Sequence, residues 1–395
     1  MSTSATMERV SLATIIREWG RIGVIGFGGP PAHITLLRKL CVEKYAWIDA
    51  AEFEDAIAAT NLLPGPASTQ LAIFCAWRLR GRLGGILGGV CFIVPGLALI
   101  LLLSALFLAA HPPLWIVGAA AGAGAAVPAI ALKAGIGLVP ASWKRAGDRR
   151  SARVRWIVYL AVGAAAGALV GAWLVVVLIA MGLIEIIVQR DWRRHPPQAA
   201  AGVILPFLLP IGALGGLAGL AALAWVALKV GALSYGGGFV IIPLMQHDAV
   251  VTYGWMTNTQ FLNVVALGQV TPGPVVLTVA AVGYAAAGLG GAFLASLIAF
   301  APSFVFVLAG GRSFNRIRTN RTIQAFLTGA GATVIGAILG SAVPLGLAIA
   351  QVWQVGVLAL AIIWLLALRR GVVLAIVGAA VLGVVAALFG APLPH

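Results

Sequence analysis

The sequence predicts an all-α polytopic membrane protein made of two inverted-topology copies of one module. Three observations predict it: an apolar excess, a self-match at a fixed offset, and positive charge that alternates between the copies. Hydrophobic residues fill 61% of the 395 positions and charged residues 9%, against roughly 45–50% and about 25% in soluble domains. A water-soluble fold of this length cannot hide that much apolar surface. The 50 glycines and 20 prolines are spread through the apolar runs, which excludes collagen-like and low-complexity readings.

The self-match runs at an offset of 208 residues. Arg21 to Gly29 aligns with Lys229 to Gly237, Trp47 with Trp255, Phe53 with Phe261, and Pro64-Gly65-Pro66 with Pro272-Gly273-Pro274. Leu83-Gly84-Gly85 meets Leu289-Gly290-Gly291 at 206, and Gly122 to Ala125 meets Gly329 to Ala332 at 207. One register held over about a hundred residues marks an internal repeat.

Charge then orients the copies. The 26 Lys and Arg outnumber the 11 Asp and Glu, a balance of +15. In a soluble protein this would suggest nucleic acid. Here the cations sit in short loops that the positive-inside rule keeps cytoplasmic, so no nucleic-acid partner is expected. Arg78, Arg80 and Arg82 face an uncharged counterpart at 284–288, and Arg38, Lys39 and Lys44 face one at 246–252 that lacks Lys and Arg. Conversely, Arg312, Arg316, Arg318 and Arg321 answer a loop near His111 without Lys or Arg. The basic run from Lys144 to Arg155 answers an uncharged turn near Ala350–Gln354. If basic loops stay inside, the copies lie upside down relative to each other.

Each element follows from that rule. Residues 10–44 and 50–78 open the first copy as two re-entrant hairpins, broken at GFGGPP (26–31) and LPGPAS (63–68). Broken backbone at membrane depth needs surrounding protein or a watery cavity; the alternative, that Gly and Pro merely kink spanning helices, stays open. Four apolar spans follow at 83–110, 114–139, 156–170 and 172–189, and recur at 288–311, 322–348, 353–368 and 371–390. The 156–189 stretch is also readable as one long tilted helix. An extra transmembrane helix near 199–215, after the basic loop Arg190–Arg194, flips the second copy. The division is therefore a first module over 1–195, a linking helix over 196–217 and a second module over 218–395. Nine crossings put the N-terminus in the cytoplasm and the C-terminus outside a cell or inner membrane. The N-terminal residues lack the apolar core of a signal peptide, and Cys41, Cys75 and Cys91 show neither disulfide nor zinc spacing.

The broken tips are the candidate site. In each hairpin the second arm begins at the break, so four helix N-termini converge, offering about +2 in all. Phe27, Gly28, Gly29 and Pro30 with Pro64, Gly65 and Pro66 form the first pair. Gly236 and Gly237 with Pro272, Gly273 and Pro274 form the second. Ser68 and Thr69 add hydroxyls, and Gln70, Asn61 and Gln269 either donate to an oxyanion or satisfy broken backbone. Arg21 and Lys229 occupy equivalent positions about 7–8 Å of helix before the Gly-rich breaks, where a charge costs about 2.5–3.5 kcal/mol; use in the site and snorkelling are the two readings. Lys133 has no counterpart and reads as structural. Such a centre suits a small dianion. Glu54 and Asp55, beside Glu18 and Glu52, are the proton-coupling candidates, since such a carboxylate needs burial to raise its pKa; an acidic helix start is the plain alternative. Asp248 is the sole acid of the second copy, and Glu185 reads as a neighbour of the basic loop. His33 and His247 lack partners at ligand spacing, so no metal or other cofactor is expected. No P-loop, GxSxG or HExxH occurs, so neither an ATP motor nor an enzyme is expected.

Phe27-Gly28-Gly29-Pro30, Ala32-His33-Ile34, Val42-Glu43, Trp47, Phe53 and Leu62 to Ser68 with Gln70 resemble the chromate ion transporter family of the long-chain, two-module type. The resemblance is most specific over 21–96 and 229–303. Asn61 departs from the family's Gln, and Gly238 replaces the proline after the second Gly pair. The resemblance implies export of chromate, a tetrahedral dianion, with chromate resistance as the outcome. The inverted repeats would work by alternating access. Sulfate, nearly isosteric, is the other anion partner; the runner-up is an uptake carrier or anion channel on the same scaffold. The lipid bilayer is the remaining partner, and a homodimer is compatible with the reading.

Overall fold

The structure is a computed structural model that describes residues 10–60, 65–109, 112–169, 174–189, 217–234, 241–310 and 320–394. Among the described residues it is helical with no strand. The first half contains α1 (Leu12–Ile25), α2 (Pro30–Arg38) continued by a π-helical turn (Lys39–Lys44), α3 (Ala50–Thr60), α4 (Ala67–Phe107), α5 (Leu114–Ala125), α6 (Val127–Ala146), α7 (Arg150–Leu169) and α8 (Leu174–Gln189). The second contains α9 (Leu217–Leu233), α10 (Ile241–Gln246) with its π turn (His247–Thr252), α11 (Asn258–Val270) and α12 (Thr278–Gly310), which follows a short 3₁₀ turn (Val275–Leu277). It closes with α13 (Arg321–Leu347), α14 (Val352–Ile362) with a π turn (Ile363–Ala367), and α15 (Val372–Leu388).

Polar caps start several of these helices. Ser11 accepts from the Thr14 amide, Thr257 and Gln260 form a capping box, and Asn320 accepts from Thr322 and Ile323. Each satisfies donors that a helix start leaves open. Five helical segments are long and apolar enough to cross a bilayer: Ala67–Phe107, Leu114–Ala146, Arg150–Leu169, Val275–Gly310 and Arg321–Leu347. On α4, Leu83, Ile86, Val90 and Val94 form an exposed apolar stripe. In water this surface would associate; in lipid it is the expected outer face.

The boundaries sharpen the sequence reading. The spans expected to start near 83 and 288 belong to longer helices, each carrying an internal break rather than a loop. Arg80 and Gly81 leave helical geometry with φ of −140° and +62°, and Ala287 and Gly288 repeat this at −153° and +61°. The 156–189 stretch is two helices, α7 and α8, packed on each other. The linking helix expected near 199–215 lies outside the described residues.

The repeat persists in three dimensions. Both π turns recur 208 residues apart, and each is followed by a stacked Tyr–Trp pair: Tyr45 on Trp47 at 4.3 Å and Tyr253 on Trp255 at 4.7 Å. The two halves also interlock. α7 packs along α13 and α5 along α15, through Gly163, Gly167, Gly336 and Gly340 in the first contact and Gly118, Gly122 and Gly383 in the second. At each of these glycines a Cβ would collide with backbone of the opposite helix. Small residues allow this approach, which drives helix association where lipid removes the hydrophobic incentive.

Candidate functional site

The broken ends meet across the halves. The carbonyls at the end of a helix lack intrahelical partners, and here the other half supplies them. Gly65 N donates to Ser234 O just beyond α9 at 3.1 Å, and Gly273 N donates to Gly26 O just beyond α1 at 3.0 Å. These two bonds are equivalents at the 208-residue offset. Gly65 and Gly273 adopt φ of +119° and +107°, which turns their amides toward the partner half without the penalty a side chain would bring. Gly96 on α4 lies against Pro272 O, and Ser303 on α12 lies beside Gly65, so the same contact is made in both directions.

His33 ties the first tip to the second. Its Nε2 lies 2.8 Å from Gly26 O and its Nδ1 3.1 Å from Ser68 Oγ, with the ring fully buried edge-on to Phe92. Gly26 O therefore faces two donors, His33 and Gly273. The helix ends that would present negative charge to the centre are thus hydrogen-bonded.

The donor side is unequal among the tips. At α2 the first two positions are Pro30 and Pro31, which have no N–H, and the Ala32 and His33 amides both point to Gly29 O. That N-terminus offers little. At α4 the first helical bond runs from Gln70 N to Pro66 O at 3.0 Å, so the amides of Ala67, Ser68 and Thr69 precede the ladder and lack helical acceptors. All three residues are buried, Pro66 provides no side-chain cap, and Thr69 Oγ1 is buried without a hydrogen-bond partner. Ser303 Oγ, Ser234 Oγ, Asn263 Oδ1 and Gln269 Nε2 are likewise buried and unpartnered. Buried polar groups left open in this way, donors at Thr69, Ser303, Ser234 and Gln269 and an acceptor at Asn263, are costly unless something satisfies them. Of the two first-half tips, α4 keeps open amides and α2 does not. At the second-half PGP turn the first bond runs from Leu277 N to Pro274 O, so the Val275 and Val276 amides precede the ladder too, and the residues leading into α10 lie outside the described residues.

The remaining predicted residues divide clearly. Gly65, Pro66, Ser68, Gln70, Pro272, Gly273 and Pro274 are buried around this junction. Phe27 and Gly28 are exposed and Gly29 and Pro30 half-buried, so the FGGP turn lies nearer the surface than the PGP turns. Pro64, Gly236 and Gly237 lie outside the described residues. Arg21 and Lys229 do not share an environment. Arg21 is exposed on the α1 face opposite Ile15, Trp19 and Ile22, whereas Lys229 is buried in α9 and bonded to Asp248 at 2.6 Å. Equivalent sequence positions diverge in burial: the end of α1 keeps an exposed face of Arg21, Val24 and Ile25, whereas α9 is buried or half-buried throughout 226–231. Glu54 and Asp55 are exposed, and Glu54 pairs with Arg38, so neither has the burial that the proton-coupling expectation required. Lys133 donates to the Arg370 carbonyl.

Known proteins can be set beside this geometry. The sequence matches the family described as "Chromate transporter" twice, over residues 13–186 and 221–384. The chain belongs to the chromate transporter family. Its relatives in that family include the chromate transport protein of Cupriavidus metallidurans, 30% identical over 86% of this chain and 84% of the relative. The chromate transport protein of Pseudomonas aeruginosa is 31% identical over 85% and 82%. A probable chromate transport protein of Synechococcus elongatus is 29% identical over 95% of both chains. No solved structure matches.

Two residues of this chromate transporter family member escaped sequence reasoning. His33 was set aside because it lacked metal-ligand spacing, although its place in the first turn after a Gly-rich break suits a residue that reaches back to the orphan carbonyl. Asp248 was passed over as an isolated acid. The available signal was that Lys229 and Asp248 are the two charges of the second half outside its arginine groups, and intramembrane charges seek each other. Glu185, expected as a loop neighbour, is instead buried and receives Arg155 at 2.8 and 3.0 Å, Tyr159 at 2.8 Å and Gln189 at 2.7 Å. This network joins α7 to α8 and belongs to the scaffold.

Proposed function

We propose that this protein moves chromate out of the cytoplasm by alternating access of two inverted modules, 1–195 and 218–395, joined by a linking helix over 196–217, and so confers chromate resistance. The buried α4 N-terminus carries the reading. Three amides without helical acceptors, a partnerless Thr69 hydroxyl and a half-positive dipole end favour a compact oxyanion. The chromate-named relatives support chromate as the cargo, with sulfate as its nearest competitor. The cargo contacts are assigned to Gly65, Pro66, Ser68, Thr69 and Gln70 of the first half, with Pro272, Gly273, Pro274 and Gln269 of the second and Lys229 as the nearby cation. Arg21 is left out because its side chain faces away.

The paired bonds Gly65–Ser234 and Gly273–Gly26 give the cycle a physical form. With both intact the cargo is enclosed; breaking one opens a single face. Exit of a dianion from an inside-negative compartment is downhill by about 2.3 kcal/mol per charge per 100 mV. The N-terminus is assigned to the cytoplasm and the C-terminus to the outside. Radiolabelled chromate flux in proteoliposomes, with sulfate competition and an imposed pH gradient, is the test. Saturable flux that sulfate competes for, and that Thr69→Val and Lys229→Ala each reduce at normal membrane levels, is expected. Unsaturable leak in the intact protein would point to a channel and end the carrier reading.

A further inference from the structure

Lys229 Nζ and Asp248 Oδ2 lie 2.6 Å apart with side chains 11% and 4% exposed, a more completely buried ion pair than any other among the described residues. The ammonium also lies over the Trp225 ring at 5.9 Å. Asp248 belongs to the π turn after α10, and helical irregularities of this kind gather at functional places. Lys229 stands five residues before Ser234, about 7.5 Å of helical rise from the carbonyl that holds Gly65.

Stability does not explain the pair. Desolvating two charges commonly costs as much as their attraction returns, and apolar replacements are often neutral or better. The molecule contains its own comparison. At the positions equivalent to Lys229 and Asp248 the first half has Arg21, which is exposed, and Leu40, which is buried. The same helix and π turn therefore form without such a pair. In the first half a looser contact, Glu18 with Lys44 at 3.9 Å, sits at the solvent edge, its lysine half exposed. The second half has drawn its pair into the interior and reversed its polarity.

We propose that Asp248 is a specificity-determining residue that holds Lys229 against monovalent anions and yields it to a dianion. An anion entering the tip region must attract the ammonium more strongly than the carboxylate already in contact with it. In a low-dielectric interior that attraction scales with charge, so a doubly charged oxyanion competes and a singly charged one of the same shape does not. The carboxylate is thus a built-in rival, a repulsive element set against the wrong cargo. Lysine suits the exchange because its flexible stem can re-aim a compact charge.

This inference rests on the anion-carrier reading above, and the test separates the two. Full-length protein in proteoliposomes is assayed for chromate flux with sulfate or perchlorate, a monovalent tetrahedral anion, as competitor. The unaltered protein is expected to be inhibited by sulfate and not by perchlorate. In Asp248→Asn, which keeps an acceptor for Lys229 but removes the charge, the preference for sulfate over perchlorate should fall about tenfold. Asp248→Glu should retain it. A purely structural residue would lower flux for every anion alike and leave the ratio fixed. If Asp248→Asn does not fold, the double replacement Lys229→Met with Asp248→Leu, copying the apolar residue of the first half, is expected to fold and to lose the preference. An unchanged ratio in either variant, or failure of the double replacement to fold, overturns the inference alone. Absence of chromate flux in the unaltered protein overturns the carrier reading with it.

Discussion

Replacing Gly65 with alanine tests whether the crossed junction sets the transport rate. The residue adopts φ of +119°, and holding an L-residue in such a region costs about 1–3 kcal/mol. A Cβ there would stand 2.5 Å from Gln70 Nε2 and 3.0 Å from Ser303 Oγ. Ordinary contact begins near 3.4 Å, so the Gln70 amide must retreat by 3.4 − 2.5, or roughly 0.9 Å, inside a packed interior where overpacking costs about 1–3 kcal/mol. If the loop yields instead, the Gly65–Ser234 bond is lost, worth about 1 kcal/mol. A destabilisation of about 2–6 kcal/mol follows from these ranges. A displacement near 1 Å at a binding centre commonly lowers rate by about a hundredfold. Gly273→Ala carries a comparable backbone strain at φ +107°, but its nearest neighbour is the flexible Leu277 side chain at 3.1 Å, so its loss should be smaller. Gly290→Ala, with nothing within 4 Å, is the neutral control. Chromate flux and thermal unfolding would be measured on the three variants in parallel. Flux in Gly65→Ala within twofold of the control would refute the placement of the PGP turn at the centre.

Three further outcomes are expected. His33→Ala removes the link between Gly26 O and Ser68 Oγ and leaves a cavity beside Phe92, so thermal stability should fall by about 2–3 kcal/mol with flux falling too; unaltered flux would detach His33 from the site. Glu185→Gln breaks the buried carboxylate–Arg155 pair at a cost of about 3 kcal/mol, lowering the unfolding temperature while leaving apparent chromate affinity unchanged in the surviving protein. In a background free of the native cysteines, Arg80→Cys and Arg321→Cys should react with an impermeant thiol reagent from the same, cytoplasmic side; labelling from opposite sides would remove the inverted arrangement.

Much of this architecture was legible because glycine and proline are local signals. The FGGP and PGP breaks need a neighbourhood of only a few residues, and the repeat shows as one register held over about a hundred, so the sequence carries both openly. The Gly81 and Gly288 kinks were harder. Gly288 lies in a continuous apolar run, where a glycine reads equally as packing or as a bend, and Gly81 lies between Arg80 and Arg82, a stretch that reads as a loop. Facing was the least legible property. α9 is apolar nearly all round, so its periodicity does not say which side meets protein, and Arg21 and Lys229 looked alike until their neighbours were known. The unequal donor supply of α2 and α4 was readable in principle, since Pro30-Pro31 lack amides that Ala67-Ser68 possess.

The crossing of the halves explains why a module read in isolation misleads. Within one copy, Gly65 and Gly26 are the ends of two separate hairpins: an amide aimed outward, and a carbonyl at a helix end that His33 reaches. The amide of Gly65 finds its acceptor in the other copy, at Ser234, and the carbonyl of Gly26, which His33 reaches within its own copy, gains a second donor at Gly273. A single module would leave the Gly65 amide unpaired in a medium that supplies no water, at a cost of several kcal/mol, and the Gly26 carbonyl with His33 as its donor in place of two. Duplication supplies both cross-half bonds at once. It also constrains motion, since displacing either PGP turn disturbs the helix end of the opposite half. Two halves joined in this way cannot rearrange independently. Under the proposed inverted arrangement, that same coupling is what a carrier requires to open one face while holding the other shut.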